Sequence, residues 1–476
     1  MSHKGNLLRA VRCVGLVLTA GAAACAEDLP GSAPAADQLH FPVSMVLVPG
    51  ATPADDHLVV CNGNFDQRFN SGSLMSLPLE TLFAQALTAD LQDPSSTLPV
   101  TGFLRVRSLC GELSYQASAP GVGRVFFTSR LDRSVSMVRY PGAGALACSG
   151  AGAPLLGTDC TEGHSLGLES TDPFAVASTP PLPGLAEGLV VVGLFGDRTR
   201  AAELVQLDGQ RIDDRADRDP TVDPIITRSS SGLDGISSLL YLPPPAMGSA
   251  QGVLVASALV APADTGVPIS TFALEATEAG FALGARRPTQ AFGARDLIAT
   301  RGIVPSADLR RLYATFRIEE SSPERAGAIR FNGAVGVMNM EGTGLELLSL
   351  FEIGEELGSP ALLERGARRL LYVPDHRTGR LWILDVTRDA PAVAAVILPR
   401  GERLDAQGAL VPSRLLSTVT SIVFAERDGR TLGFVSNFGN STLAVIDVTA
   451  EDPRQHAVIA RFGRDLDPSF GPEVPE

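Results

Sequence analysis

The chain of 476 residues is 45% hydrophobic and 19% charged, a balance that describes an ordered protein with ample material for a core and argues against disorder. Its 53 acidic residues outnumber 39 basic ones, Lys4 is the sole lysine, and the formal charge of −14 becomes −17 once Lys4, Arg9 and Arg12 leave with a targeting segment. A chain this acidic lacks the basic face that phosphate binding needs, which argues against a nucleic-acid partner and against attraction to anionic lipid surfaces.

Residues 1–24 read as a signal peptide: Lys4, Arg9 and Arg12 precede an apolar run, Cys13 to Ala24, that is too short to span a bilayer. The junction Ala22-Ala23-Ala24-Cys25 resembles a bacterial lipobox, which implies that Cys25 becomes the lipidated first residue of the mature chain. Ala22 stands where that pattern prefers leucine, and ordinary cleavage of an A-x-A signal is the alternative. Ala26 after the cysteine favours the outer membrane, with the protein facing the periplasm or the surface. Residues 25–40 have no apolar periodicity and read as a lipidated, flexible tether.

Four cysteines remain after processing, and four in an exported chain allow three pairings. We favour Cys148–Cys160, across a short Gly/Ala-rich loop, and Cys61–Cys110. A metal site is the alternative, but neither a C-x-x-C spacing nor a paired histidine supports it.

From Phe41 onward one unit keeps returning: an apolar β-rich run, a polar hinge, and a second β-rich run. The first runs begin at Leu58, Val125, Leu189, Val253, Leu312, Leu370 and Leu432, at successive offsets of 67, 64, 64, 59, 58 and 62 residues. The second runs are Ser73 to Leu77, Val135 to Tyr140, Glu203 to Leu207, Ile269 to Leu274, Ala328 to Phe331, Leu381 to Val386 and Leu443 to Val448. A lone hairpin is marginal in water, and each unit has room for two more strands, such as Thr418 to Ala425 and Ala457 to Phe462 in the last. The expectation is an all-β chain, with 41–476 a seven-bladed β-propeller of four-stranded antiparallel blades. Between the first two runs, Leu79, Leu82, Phe83 and Leu87 fall on one face of a helix that we place on the rim of the first blade.

In the last two units Tyr372-Val373-Pro374-Asp375 aligns with Phe434-Val435-Ser436-Asn437, and Leu381-Trp382-Ile383-Leu384-Asp385 with Leu443-Ala444-Val445-Ile446-Asp447. These units resemble YVTN-type propeller repeats over roughly Phe41 to Phe462. The resemblance implies seven blades and an exported or surface-associated protein, and some members of the family are lactonases.

Motifs for chemistry are few. Gly163-His164-Ser165-Leu166-Gly167 matches a nucleophile elbow but has no apolar strand before it, and we read it as a loop beside the Cys148–Cys160 bridge. Asp213, Asp214, Asp217, Asp219 and Asp223 lack the glycine and glutamate of an EF-hand, and we read them as a solvated loop. The six histidines form no zinc motif, the single Trp382 argues against tryptophan-based propeller families, and the absence of a Gly-Gly pair argues against kelch repeats. The hinges should converge on one face around the channel mouth, with Asn62, Asn64, Arg68, Arg130, Asp132, Asp197, Arg198, Asp375, His376, Arg377, Asn437 and Asn440 as candidate partner-binding residues. Asn and Asp also suit tight turns on their own account. The expected role is a monomeric cell-envelope scaffold that binds an envelope protein or a small molecule without cofactor, metal or catalytic residues. The alternative is a lactonase-like hydrolase using the channel, with His376 as its candidate base.

Overall fold

The computed structural model describes residues 32–463, apart from 67–68, 90, 92–96, 149–156, 162–164, 169–171, 183–187, 196–201, 207–225, 230–233, 261–265, 278–279, 292–296, 321–329 and 405–409. Cys25, Arg68, Asp197, Arg198 and the acidic run from Asp213 to Asp223 therefore lie outside the described residues. Among the described residues no helix is long and apolar enough to cross a membrane.

The fold is a β-propeller of small antiparallel sheets, each built from strands consecutive in sequence. The first strands are Pro42–Val48, Cys110–Ala119, Pro173–Ser178, Asp234–Leu242, Leu297–Pro305, Ala361–Arg365 and Val419–Arg427. Each packs against the first strand of the next sheet, and the last returns to the first, so together they ring a central axis. The runs that the repeat picks out are the second and third strands of each sheet. In the last sheet Leu432 pairs with Asp447 and Phe434 with Val445. Period-two alternation then sends Phe434, Leu443 and Val445 toward the first sheet, against Leu58, Val60 and Met75, while Val435, Ala444 and Ile446 pack with Tyr372 and Ile383 of the preceding sheet.

Three expectations need correction. First, the sheets are not uniformly four-stranded: among the described residues five hold four strands, two hold five, and Arg400–Leu404 with Leu410–Arg414 forms a separate two-stranded ribbon. The extra strands come from the segment around the Cys148–Cys160 bridge. Thr158–Asp159 runs parallel to Gly102–Val106 of the first sheet, whereas Ala145–Cys148 and Ser165–Gly167 pair with opposite halves of Ser134–Gly142 in the second. Ser165-Leu166-Gly167 is thus an edge strand with Ser165 buried, because the ladder offered by Ser134–Gly142 outweighs the glycine-rich local sequence.

Second, the partner of the Leu312 run is Arg330–Asn339, with Leu312 opposite Met338, and not Ala328 to Phe331. The strands are ten residues long here, so the apolar alternation of Val335 and Val337 sets the register rather than the residues nearest the turn. Third, helix α1 (Leu79–Thr88) does more than cover the rim of the first sheet. Leu79, Leu82 and Phe83 share one core with Leu432, Phe434 and Phe462, so the helix lies across the seam between the first and last sheets.

Both disulfides join the expected partners: Cys61 with Cys110, and Cys148 with Cys160.

Candidate functional site

The first strands leave a cavity of about 540 Å³ at the axis. Six of them contribute to its wall, including Ser44, Glu112, Ser178, Ser238, Ile303 and Thr420, and the sixth sheet adds Ser359 and His376 from beside its strands. Its middle is therefore rich in hydroxyls. Its mouth is aromatic: Phe65 and Phe438 line it with ring centroids 5.0 Å apart, and Phe41 lies behind Phe438 at 5.1 Å.

Glu112 is the one glutamate or aspartate among the described lining residues. It sits third on the inner strand of the second sheet, enclosed by protein while keeping surface open to the cavity. Gly111 before it permits that enclosure, since a Cβ there would collide with Thr128 Oγ1 and the Phe174 carbonyl, so only glycine lets the second and third sheets close together. Burial pushes the Glu112 carboxyl up to about 8, against two opposing hydrogen bonds, from the Ser238 side chain and the Val176 backbone. At neutral pH it is mostly protonated.

This has a consequence for stability. The usual glutamate value is 4.5, so between pH 4.5 and about 8 the folded chain holds a proton here that the unfolded chain has released. The contribution of this group is therefore full below pH 4.5 and lost as pH rises through about 8. Glu112→Gln should flatten the fall in stability across that window and leave the variant more stable than the parent at pH 9, by about 2–4 kcal/mol, since one pKa unit corresponds to 1.36 kcal/mol. Denaturant unfolding at pH 5, 7 and 9 reads this directly, and parallel curves for parent and variant would contradict it.

Arg130 also lines the cavity, but its charge is already matched. Its Nε and Nη2 donate to the two carboxylate oxygens of Asp172 at 2.5 and 2.8 Å, and its guanidinium lies 5.6 Å from the Phe174 ring and 5.4 Å from Phe195.

The other hinge residues hold turns. Buried Asn62 accepts from the His40 amide at 3.2 Å and donates to Ser73 Oγ at 3.0 Å. Asn64, at φ 50°, donates to the Phe69 carbonyl at 2.8 Å and to Ser108 Oγ at 3.2 Å. Asp132 accepts from Ser129 Oγ at 3.1 Å and pairs with Arg107 at 3.3 Å. Buried Asp375 accepts from the amides of Glu355, Glu356, Arg377 and Thr378 at 3.2–3.4 Å. Arg377 pairs with Glu355 at 2.9 Å in an exposed position. Asn437 donates to the Leu415 carbonyl at 2.9 Å and to Thr442 Oγ1 at 3.1 Å, and Asn440 ends the 3-10 turn Phe438–Asn440 that follows it.

Of the hinge residues named from sequence, Arg130 and His376 reach the cavity wall, and the hinge neighbours Phe65 and Phe438 reach it with them. Sequence reasoning missed Glu112 and the hydroxyl ring. The available signal was an acidic residue directly after a cysteine and a glycine, in Cys110-Gly111-Glu112-Leu113-Ser114, at the start of a strand.

No family model matches the chain, and no curated protein matches it. Solved structures resemble it at low identity. Hydrazine synthase of Kuenenia stuttgartiensis is 14% identical with a TM-score of 0.49, over 86% of this chain and 96% of that one. The periplasmic gluconolactonase PpgL of Pseudomonas aeruginosa is 15% identical with a TM-score of 0.43, over 89% and 97%. The WD40 domain of Toxoplasma gondii coronin is 10% identical with a TM-score of 0.42, over 86% and 85%.

Proposed function

We propose that the chain is an exported cell-envelope scaffold, a seven-bladed propeller of YVTN type anchored through a lipid on Cys25, whose working site is the axial cavity and its mouth. The cavity carries this reading: about 540 Å³, entered past phenylalanine rings and walled by residues from seven sheets, it has the size and mixed lining of a small-molecule site. The ring of seven first strands supports the blade count. The two disulfides support an oxidising, exported location. Arg377 is the most exposed hinge side chain with a described ion-pair partner, and the hinge face around it would receive a macromolecular partner at the rim.

A second reading, a lactonase-like hydrolase, draws on Glu112, Arg130 and His376 lining one cavity. The commitment of Arg130 to Asp172 weighs against it, because an arginine already matched by a carboxylate is a poor stabiliser of new negative charge.

The test is a thermal-shift screen of small molecules on the parent and on two plugged variants from different sheets, Ser178→Trp and Ile303→Trp. Ligands that stabilise the parent and not a folded plugged variant are the expected result. Hits indifferent to both plugs would remove the cavity as the site. The same preparations, labelled with palmitate in cells, should incorporate it in a Cys25-dependent manner, and gluconolactone turnover above background would favour the hydrolase.

A further inference from the structure

We propose that the axial cavity takes a small organic cation, its ammonium group set against the carboxylate of Glu112 and flanked at the mouth by the rings of Phe65 and Phe438. This rests on the cavity being the working site.

Four observations converge on it. The first is the charge inventory around Glu112. The flanking strands Pro42–Val48 and Pro173–Ser178 contain no ionisable side chain. On Val122–Ser129 the one charge, Arg124, sits opposite Gln116, four residues along from Glu112. Asp234–Leu242 carries Asp234 at its start and Tyr241, whose hydroxyl donates to the Gln251 carbonyl at 3.1 Å. Arg130 is matched by Asp172, and His376 stands on the wall of the sixth sheet. Among the described residues, the elements packed against Glu112 thus show no cation paired with it.

The second observation is that both described hydrogen bonds to Glu112, from the Ser238 side chain and the Val176 backbone, are donated to its oxygens. Donors aimed at a carboxyl favour its ionised form. Ser238 and Val176 are thus set to receive the ionised form, and burial with no matching charge described beside it is what keeps the proton on. The third is that the cavity lining next to Glu112 offers Ser44, Ser114, Ser178 and Ser237, which can accept from an ammonium N–H or meet a ligand hydroxyl. The fourth is the aromatic mouth. Ring faces attract cations, and Phe174 and Phe195 already hold the Arg130 guanidinium in this way on the same wall. The formal charge of −14 adds a long-range field that draws cations toward the protein.

Binding is an exchange. At neutral pH the carboxyl O–H bond of Glu112 breaks, its proton passes to the buffer, and the ligand's positive charge replaces it. The cavity stays neutral throughout, which offsets the cost of burying the carboxylate.

Isothermal titration with choline and with butylamine, each in two buffers of different ionisation enthalpy, tests this. The uncharged choline isostere dimethylbutanol serves as the control. Release of up to about one proton per cation at pH 7 is expected, with affinity rising about tenfold per pH unit until near pH 8. Glu112→Gln should weaken cation binding at least about tenfold and abolish proton release, and dimethylbutanol should bind at least about tenfold more weakly than choline. Three results would overturn the proposal: equal binding of dimethylbutanol, proton release that persists in Glu112→Gln, or silence of both cations up to about 10 mM. If dimethylbutanol binds and Ser178→Trp blocks it, the cavity remains the working site and the cation assignment falls. If no molecule in the screen responds to the plugs, both fall.

Discussion

Phe434→Ala should lower the free energy of unfolding by about 3–5 kcal/mol, the cost of truncating a fully buried aromatic side chain whose surroundings cannot collapse onto the gap. Phe434 is fully buried on the second strand of the last sheet, opposite Val445 and Val423. Its ring lies 5.8 Å from that of Phe83 on α1, and its core includes Leu58, Val60, Met75 and Leu77 of the first sheet. Relaxation is restricted because that wall is made of ladder-bonded strands on one side and a helix on the other. The seam is also the place where the ring closes between chain segments far apart in sequence, as the Arg427–Asp56 ion pair at 3.1 Å and the bond from Thr420 Oγ1 to the Pro42 carbonyl at 3.0 Å show. Phe83→Ala, on the helix side, should cost a similar amount and act non-additively with Phe434→Ala, because both empty one space. Leu131→Ala, at a residue 55% exposed, should fall within about 0.5 kcal/mol of the parent. Urea unfolding midpoints of the parent, the three single variants and the Phe83→Ala/Phe434→Ala double variant check this. A loss below about 1 kcal/mol at Phe434 would mean that the seam is not where the ring is held shut.

The part of the fold that was legible in the sequence is the part whose signal is local. Second and third strands are buried on both faces, between neighbouring sheets, so they carry continuous apolar runs such as Leu189 to Leu194 and the paired texture of Leu432–Val435 and Leu443–Ile446. First strands face the cavity on one side and so mix hydroxyls with apolar residues, as in Val43-Ser44-Met45 and Ser237-Ser238-Leu239. That mixture has no period strong enough to mark a strand, and the cavity stayed invisible with it. The role of α1 was hidden for a related reason: its apolar stripe announces a buried face, but Phe434, which completes that face, lies in the last sheet.

The hinge asparagines were found, and each also has the turn chemistry its residue type suits. Asn62, Asn64 and Asn437 stand where expected, but their amides are used by His40, Ser108 and Leu415, which lie on other parts of the chain. Turn chemistry and binding chemistry draw on the same residue types, and partners distant in sequence decide between them. Glu112 is the converse case. An acid after Cys110-Gly111 carries no sign of burial in the sequence, because the third sheet that encloses it is contributed from elsewhere in the chain.

Removing the Cys61–Cys110 bridge should destabilise the protein by about 4 kcal/mol, from the chain entropy of a loop of this length. The bridge spans 49 residues, whereas Cys148–Cys160 spans 12, for which the same relation gives about 3 kcal/mol. Loop length separates the two only modestly, but their positions separate them further. Cys148 ends the edge strand Ala145–Cys148 of the second sheet and Cys160 follows Thr158–Asp159 at the edge of the first, so this bond joins the two sheets only at their outer strands, where local opening need not disturb the ring. Cys61 lies on the second strand of the first sheet, opposite Leu74 and Ser44, and Cys110 opens the first strand of the second sheet. That bond ties two sheets together two residues from Glu112. The variant Cys61→Ala/Cys110→Ala should therefore lower the urea midpoint more than Cys148→Ala/Cys160→Ala does. It should also raise cavity access, read as faster amide exchange along 112–118, while the second variant leaves that strand protected. Equal midpoints for the two variants, with unchanged exchange in both, would show that the sheets are held together here by their apolar contacts alone, through Val59, Leu74 and Phe127 of the shared core.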